Sequence, residues 1–202
     1  MFDLSLQQIL MRLVAFVVIT GVHGLLVALF ARLLGDRGPA HDGKLTINPF
    51  VHLDLLGLVA AIFTQFGWIR PVDVEARHVR GGVFGQFAVA VLALAATLGI
   101  AWVIWTFRSL AITLVPDATF ANGIIIALRT GVEMTLPFVL LNIVPVPPLT
   151  MGIVLEGIAP KAHAFLTRHG VIVRLVLLVL AFAGALSFAR PALAPLRAMI
   201  GM

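Results

Sequence analysis

Long apolar stretches separated by short polar loops organise this chain. Nearly uninterrupted hydrophobic positions run over roughly 5–34, 83–107, 122–145 and 171–189, each close to the about 20 residues that a helix needs to cross a bilayer. A fifth apolar stretch, Leu53 to Trp68, is shorter and broken by Gly57 and Gly67. It reads as a re-entrant hairpin that dips into the membrane and returns to the side it left, with a full crossing as the competing topology. The pattern predicts an all-α integral membrane protein of about four transmembrane helices plus this hairpin, forming a single multi-pass domain over residues 1–202.

Composition supports the pattern. With 61% hydrophobic and only 11% charged residues, and a mean hydropathy of +1.10, the chain is too apolar for an ordinary soluble domain. The first apolar stretch, Leu4 to Leu34, is too long for a signal-peptide core and is expected to stay as the first span. The formal net charge of +5 is read as topology-setting Lys and Arg, not as a nucleic-acid footprint. With four crossings, the loops 35–82 and 146–170 share one face and hold Arg37, Lys44, Arg70, Arg77, Arg80, Lys161 and Arg168. The opposite face has Arg108, Arg190 and Arg197. The first face is therefore expected to be cytoplasmic and both termini non-cytoplasmic, in a bacterial inner membrane. Trp68, Trp102 and Trp105 fall near predicted helix ends, as interfacial anchors do. The tail Arg190 to Met202 suits an amphipathic segment lying on the membrane.

Arg129 and Glu133 stand one helical turn apart at the entry of the third apolar stretch. A lone charge is costly there, so the two are expected to form a structural ion pair. Proton or ion conduction needs a succession of such groups, and these helices supply none after Glu133. Cysteine is absent, which excludes disulfides and thiolate metal sites.

The candidate chemistry starts at His23-Gly24-Leu25-Leu26-Val27. A helical His-Glu-x-x-His zinc site needs two imidazoles one turn apart, a Glu beside the first to activate water, and an open coordination position. Gly24 cannot serve as a base and Val27 cannot bind a metal. Near the other end of the chain, Pro145, Pro147 and Pro148 cannot continue a helix, since each lacks an N–H and fixes φ. Asn142 and the carbonyls freed around these prolines are candidates for holding an extended segment of another membrane protein. A rigid bend that closes the fold is the alternative reading.

Read in order, Leu33-Leu34-Gly35-Asp36, Gly43-Lys44-Leu45-Thr46-Ile47-Asn48-Pro49, His52-Leu53-Asp54 with Gly57, Gly67-Trp68-Ile69-Arg70-Pro71-Val72 and Asn142-Ile143-Val144-Pro145-Val146-Pro147-Pro148-Leu149-Thr150-Met151-Gly152 resemble the site-2 protease family of intramembrane zinc metalloproteases. The resemblance covers roughly residues 20–155. It implies a zinc held by two His and by the Asp of a Leu-Asp-Gly motif, and those positions fall on His23, Val27 and Thr150. The general base falls on Gly24. Of the family's Gly-Pro-x-x-Asn, the stretch Gly85-Gln86-Phe87-Ala88-Val89 keeps only the Gly.

The leading expectation is a proteolytically inactive member without a cofactor, an accessory, assembly or regulatory subunit that binds other integral membrane proteins. Two alternatives stand beside it. One is an intramembrane zinc metalloendopeptidase that recruits substitute ligands such as His52 or Asp54. The other is a haem- or pigment-binding subunit that uses His23 as an axial ligand.

Overall fold

A computed structural model describes residues 4–186 together with 191, 193, 194 and 198. The tail predicted over 190–202 lies, except for those four positions, outside the described residues. Helices are α1 Leu6–Leu33, α2 Gly38–His41, α3 Pro49–His52, α4 Leu55–Thr64, α5 Val83–Thr106, α6 Arg108–Leu114, α7 Ala118–Asn142, α8 Ile153–Ile158, α9 Pro160–Arg168 and α10 Gly170–Phe182, with a 3₁₀ turn at Thr150–Gly152 before α8. Among the described residues the one β-type pairing is an isolated antiparallel bridge between Leu53 and Ile69.

Three helical stretches are long and apolar enough to cross a bilayer: Leu6–Leu33, Val83–Leu110 and Ala118–Asn142. Helix α1 opens on a capping box, in which Ser5 Oγ accepts from the Gln8 N–H at 3.2 Å and Gln8 Oε1 accepts from the Ser5 N–H at 3.0 Å. Its inner side buries Phe16, Ile19, Thr20, His23, Gly24, Val27 and Ala31, packed against α3, α4, α5 and α7. Helix α7 begins at 118, earlier than its apolar run, because Asp117 Oδ1 caps the N–H groups of Thr119 and Phe120 at 2.8 and 2.9 Å. It stops at Asn142, ahead of the predicted 145. Pro145, Pro147 and Pro148 follow within a helical turn or two, and the Pro147–Pro148 peptide is cis.

Beside these, α9 and α10 meet at 81° and together make a bent fourth candidate span, so the chain has three to four of them; the predicted stretch 171–189 holds α10 in its described part. The 13 residues of α10 reach about 20 Å. Arg174, on its first turns, is turned into the protein and paired with Asp54.

The stretch 53–68 is a closed hairpin. Asp54 Oδ1 caps α4 through the Gly57 N–H at 3.0 Å, and the 10-residue helix rises about 15 Å, half the hydrocarbon thickness. Gln65 ends it in the left-handed region, φ 70°, and the chain returns until Ile69 pairs with Leu53 and the Arg70 N–H reaches His52 O at 2.7 Å. The segment thus ends beside its own start, which is the re-entrant path. A β-carbon on Gly57 would lie 2.1 Å from Trp68 O, so only glycine lets the returning strand lie on α4. Trp68 is correspondingly a fully buried core residue, not an interfacial anchor. Trp105 is buried too, with Arg108 stacked 4.5 Å over its ring, and Trp102 is the exposed one of the three.

Candidate functional site

His23 sits about two-thirds along α1 with no solvent exposure, its ring edge-on to Phe138 of α7 at 5.0 Å. Both ring nitrogens are engaged. Nδ1 meets Thr97 Oγ1 of α5 at 2.8 Å, and Nε2 meets Thr150 Oγ1 at 2.8 Å. Each hydroxyl has a second partner: that of Thr97 reaches Ala93 O at 2.7 Å, and that of Thr150 reaches Asn142 Oδ1 at 3.1 Å. A neutral imidazole satisfied on both sides suits a site inside an apolar helix bundle, where an isolated charge is expensive.

Thr150 is held in turn by Asn142. Asn142 Oδ1 accepts from the Thr150 N–H at 3.1 Å and lies 3.1 Å from its hydroxyl, while Nδ2 donates to Gly67 O at 3.1 Å and Phe138 O at 2.8 Å. One amide therefore ties α7, the proline turn and the return strand of the hairpin. Asn142 is fully buried and its polar atoms are all used inside the protein. It is placed as a clamp that shapes the site, not as a surface for a partner.

Val27 and Thr150 line one cavity of about 440 Å³, and the His23 imidazole meets the Thr150 hydroxyl without lining the cavity. Their chemistry does not fit catalytic zinc, which takes about three nitrogen, sulfur or carboxylate donors plus water. Here one imidazole is closed by a hydroxyl and the second ligand position is an isopropyl group. Among the described residues no three His, Cys, Asp or Glu side chains are grouped as a metal site would require.

The proposed substitutes are engaged elsewhere. Asp54 uses Oδ1 to cap α4 and Oδ2 to bind Arg174 at 2.8 Å. His52 directs Nε2 to Thr46 O at 3.2 Å, and its ring lies on Gly24, where an added β-carbon would come within 2.2 Å of the ring. Its Nδ1 is buried with no hydrogen-bond partner. An axial metal bond to His23, as haem or a pigment would need, has to displace one of the two threonines.

The cavity is a cleft between the irregular segment 69–75, the Pro147–Pro148 turn and helices α8 and α9. Pro147 and Pro148 line it, whereas Pro145 is exposed outside it. Along the segment Val72 and Val74 are buried and Asp73 is exposed. Its ends are tied: Arg70 N–H to His52 O, Glu75 N–H to Asp36 Oδ2 at 3.0 Å, and Val74 O to Gln86 Nε2 at 2.7 Å. Between them the N–H and C=O groups of Val72 and Asp73 take no partner among the described residues. At the rim Arg77 hydrogen-bonds Glu75 and holds its carboxyl below the usual carboxylate range.

Arg129 and Glu133 form the expected pair, Nε to Oε1 at 2.9 Å, away from the cleft. Sequence reasoning missed Thr97, Gln86 with Glu156, and Arg174. Their common signal was a polar side chain alone in an apolar run, which asks for a buried partner.

No family model matches the chain, and no solved structure matches it. The chain is similar to a Bacillus subtilis (strain 168) protein named "Putative zinc metalloprotease YwhC", at 29% identity over 184 residues, which span 88% of this chain and 83% of that protein. A likeness of that extent, in an all-helical membrane protein whose ligand-position residues meet at one cleft, supports a site-2-protease-like relationship.

Proposed function

We propose that the protein is a proteolytically inactive relative of the membrane zinc proteases, which binds segments of other integral membrane proteins in the Val27–Thr150 cleft as an accessory, assembly or regulatory subunit. The observation that carries this is the pairing of a formed cleft with a closed imidazole. A groove bordered by unpartnered backbone groups of Val72 and Asp73 suits an extended chain, while His23 Nε2, where a metal would bind, is engaged by the Thr150 hydroxyl. The basic loop face, where the cleft opens, is cytoplasmic on this reading.

A second reading, an intramembrane zinc endopeptidase, is favoured by the name of the Bacillus relative and by the buried Nδ1 of His52, which has no hydrogen-bond partner and lies against Gly24. Elemental analysis of detergent-purified protein, wild type beside His23→Ala, separates them. Substoichiometric zinc in both is the expected result. About one zinc per chain that disappears in the variant would overturn the inactive reading in favour of the second.

A further inference from the structure

The cleft has a charge that the rest of its face does not. Asp73, Glu75 and Glu156 line it against one guanidinium, Arg77, on a face otherwise supplied with Arg37, Lys44, Arg70, Arg80, Lys161 and Arg168 in a chain of net charge +5. The Glu75 carboxylate is already matched by Arg77. Asp73 is exposed and makes no ion pair among the described residues. Glu156 accepts from the Ala76 N–H at 3.1 Å and from Gln86 Nε2 at 2.7 Å, both on Oε2, which leaves Oε1 for a further partner.

Placement adds to charge. The Asp73 backbone takes no partner among the described residues, so a chain that pairs with it as a strand would bring a residue opposite it, within about 5 Å between β-carbons. Opposite charges across such a pair are favourable, and like charges are not. Membrane segments are flanked by Lys and Arg on their cytoplasmic side, so the end of a span unwinding into this cleft carries the complementary sign.

We infer, resting on the reading of the cleft as a site for extended membrane segments, that its partner is the basic flank of a transmembrane segment, selected by Asp73 and Glu156. An apolar flank fills the same groove without meeting either carboxylate, and an acidic flank is repelled by both. The preference is electrostatic and is read as a ratio of affinities more than as affinity itself.

The test uses the full chain in lipid nanodiscs and three fluorescent single-span peptides that share one apolar core and end in Lys-Lys, Gln-Gln or Glu-Glu. The Lys peptide is expected to bind about ten-fold tighter than the Gln peptide, with the Glu peptide weakest and the spread narrowing at high salt. Asp73→Lys, at an exposed position, is expected to reverse the order of the Lys and Glu peptides, and Glu156→Gln to shrink the Lys preference by about three-fold. Equal binding of all three peptides would overturn the charge selection and leave the cleft reading standing. Absence of binding by any peptide, or a Lys preference that survives plugging the cleft with Trp in place of its lining residue His163 (His163→Trp), would overturn the cleft reading together with the inference.

Discussion

His23 Nε2 and Thr150 Oγ1 stand 2.8 Å apart, closer than two atoms that share a zinc ion. With metal bonds of about 2.0–2.2 Å at a tetrahedral angle, such ligands are held about 3.3 Å apart. The bond here is a direct hydrogen bond, and its strength depends on the hydroxyl. A carboxylate at 150 would instead accept, and would favour either a protonated imidazole or a metal between the two.

Restoring the ligands should therefore restore metal. In the double variant Val27→His with Thr150→Asp, both new side chains border the same cavity and join His23 to complete a two-imidazole, one-carboxylate set. About one zinc per chain is expected in that variant by elemental analysis, falling away when His23→Ala is added. If the double variant folds and stays free of zinc, the assignment of 27 and 150 as ligand positions is wrong.

Gly24 and His52 occupy one space. A β-carbon at 24 would lie 2.2–2.6 Å from three ring atoms of His52, and these are the near side of the ring, not a flexible end. Gly24→Ala should cost about 1–3 kcal/mol by overpacking, seen as a lower melting temperature in detergent. In a His52→Ala background the same change should cost almost nothing, so the two single effects do not add. Additive losses would mean that the cost at 24 does not come from the His52 ring.

The spans, the hairpin and the convergence of residues 23, 27 and 150 were legible because each rests on a local rule: apolar length, a glycine at a close approach, or a motif kept in order. Trp68 was misread because its position near the end of an apolar run resembles an interfacial anchor, and only the return of the chain over Gly57 buries it. The role of Asn142 was misread for a similar reason. Gly67, Phe138 and Thr150 use up its amide, and the tie to Gly67, 75 positions away, does not follow from spacing. The anchoring of α10 was hidden because Arg174 interrupts an apolar run by a single residue, and its partner Asp54 lies 120 positions away.

That ion pair anchors the last helix to the hairpin. The Asp54 side chain is 3% exposed and that of Arg174 31%, so part of the Coulomb energy is screened. Removing only Arg174 still leaves a buried carboxylate without its partner. Arg174→Met should destabilise the protein by about 2 kcal/mol, and Asp54→Asn with Arg174→Met together should cost less than the sum. Limited proteolysis at the α9–α10 junction around His169 reads out undocking of the last helix. Protection unchanged in Arg174→Met would show that apolar packing alone holds α10.

The absence of cysteine makes topology directly testable with single-cysteine variants labelled from either side of sealed vesicles. The pairing of Leu53 with Ile69 puts the loop before the hairpin and the strand after it on one face. Lys44→Cys and Asp73→Cys are therefore expected to react from the same side, along with Lys161→Cys, and Ser109→Cys and Asp117→Cys from the other. Had the stretch crossed the bilayer, Lys44→Cys and Asp73→Cys would react from opposite sides. The side itself follows from charge: with Arg37, Lys44, Arg70, Arg77 and Arg80 in one loop, the Lys44 side is expected to be cytoplasmic. Labelling of Asp73→Cys from outside the cell would also remove the basis for a basic flank as partner, because the excess of Lys and Arg belongs to the cytoplasmic ends of spans.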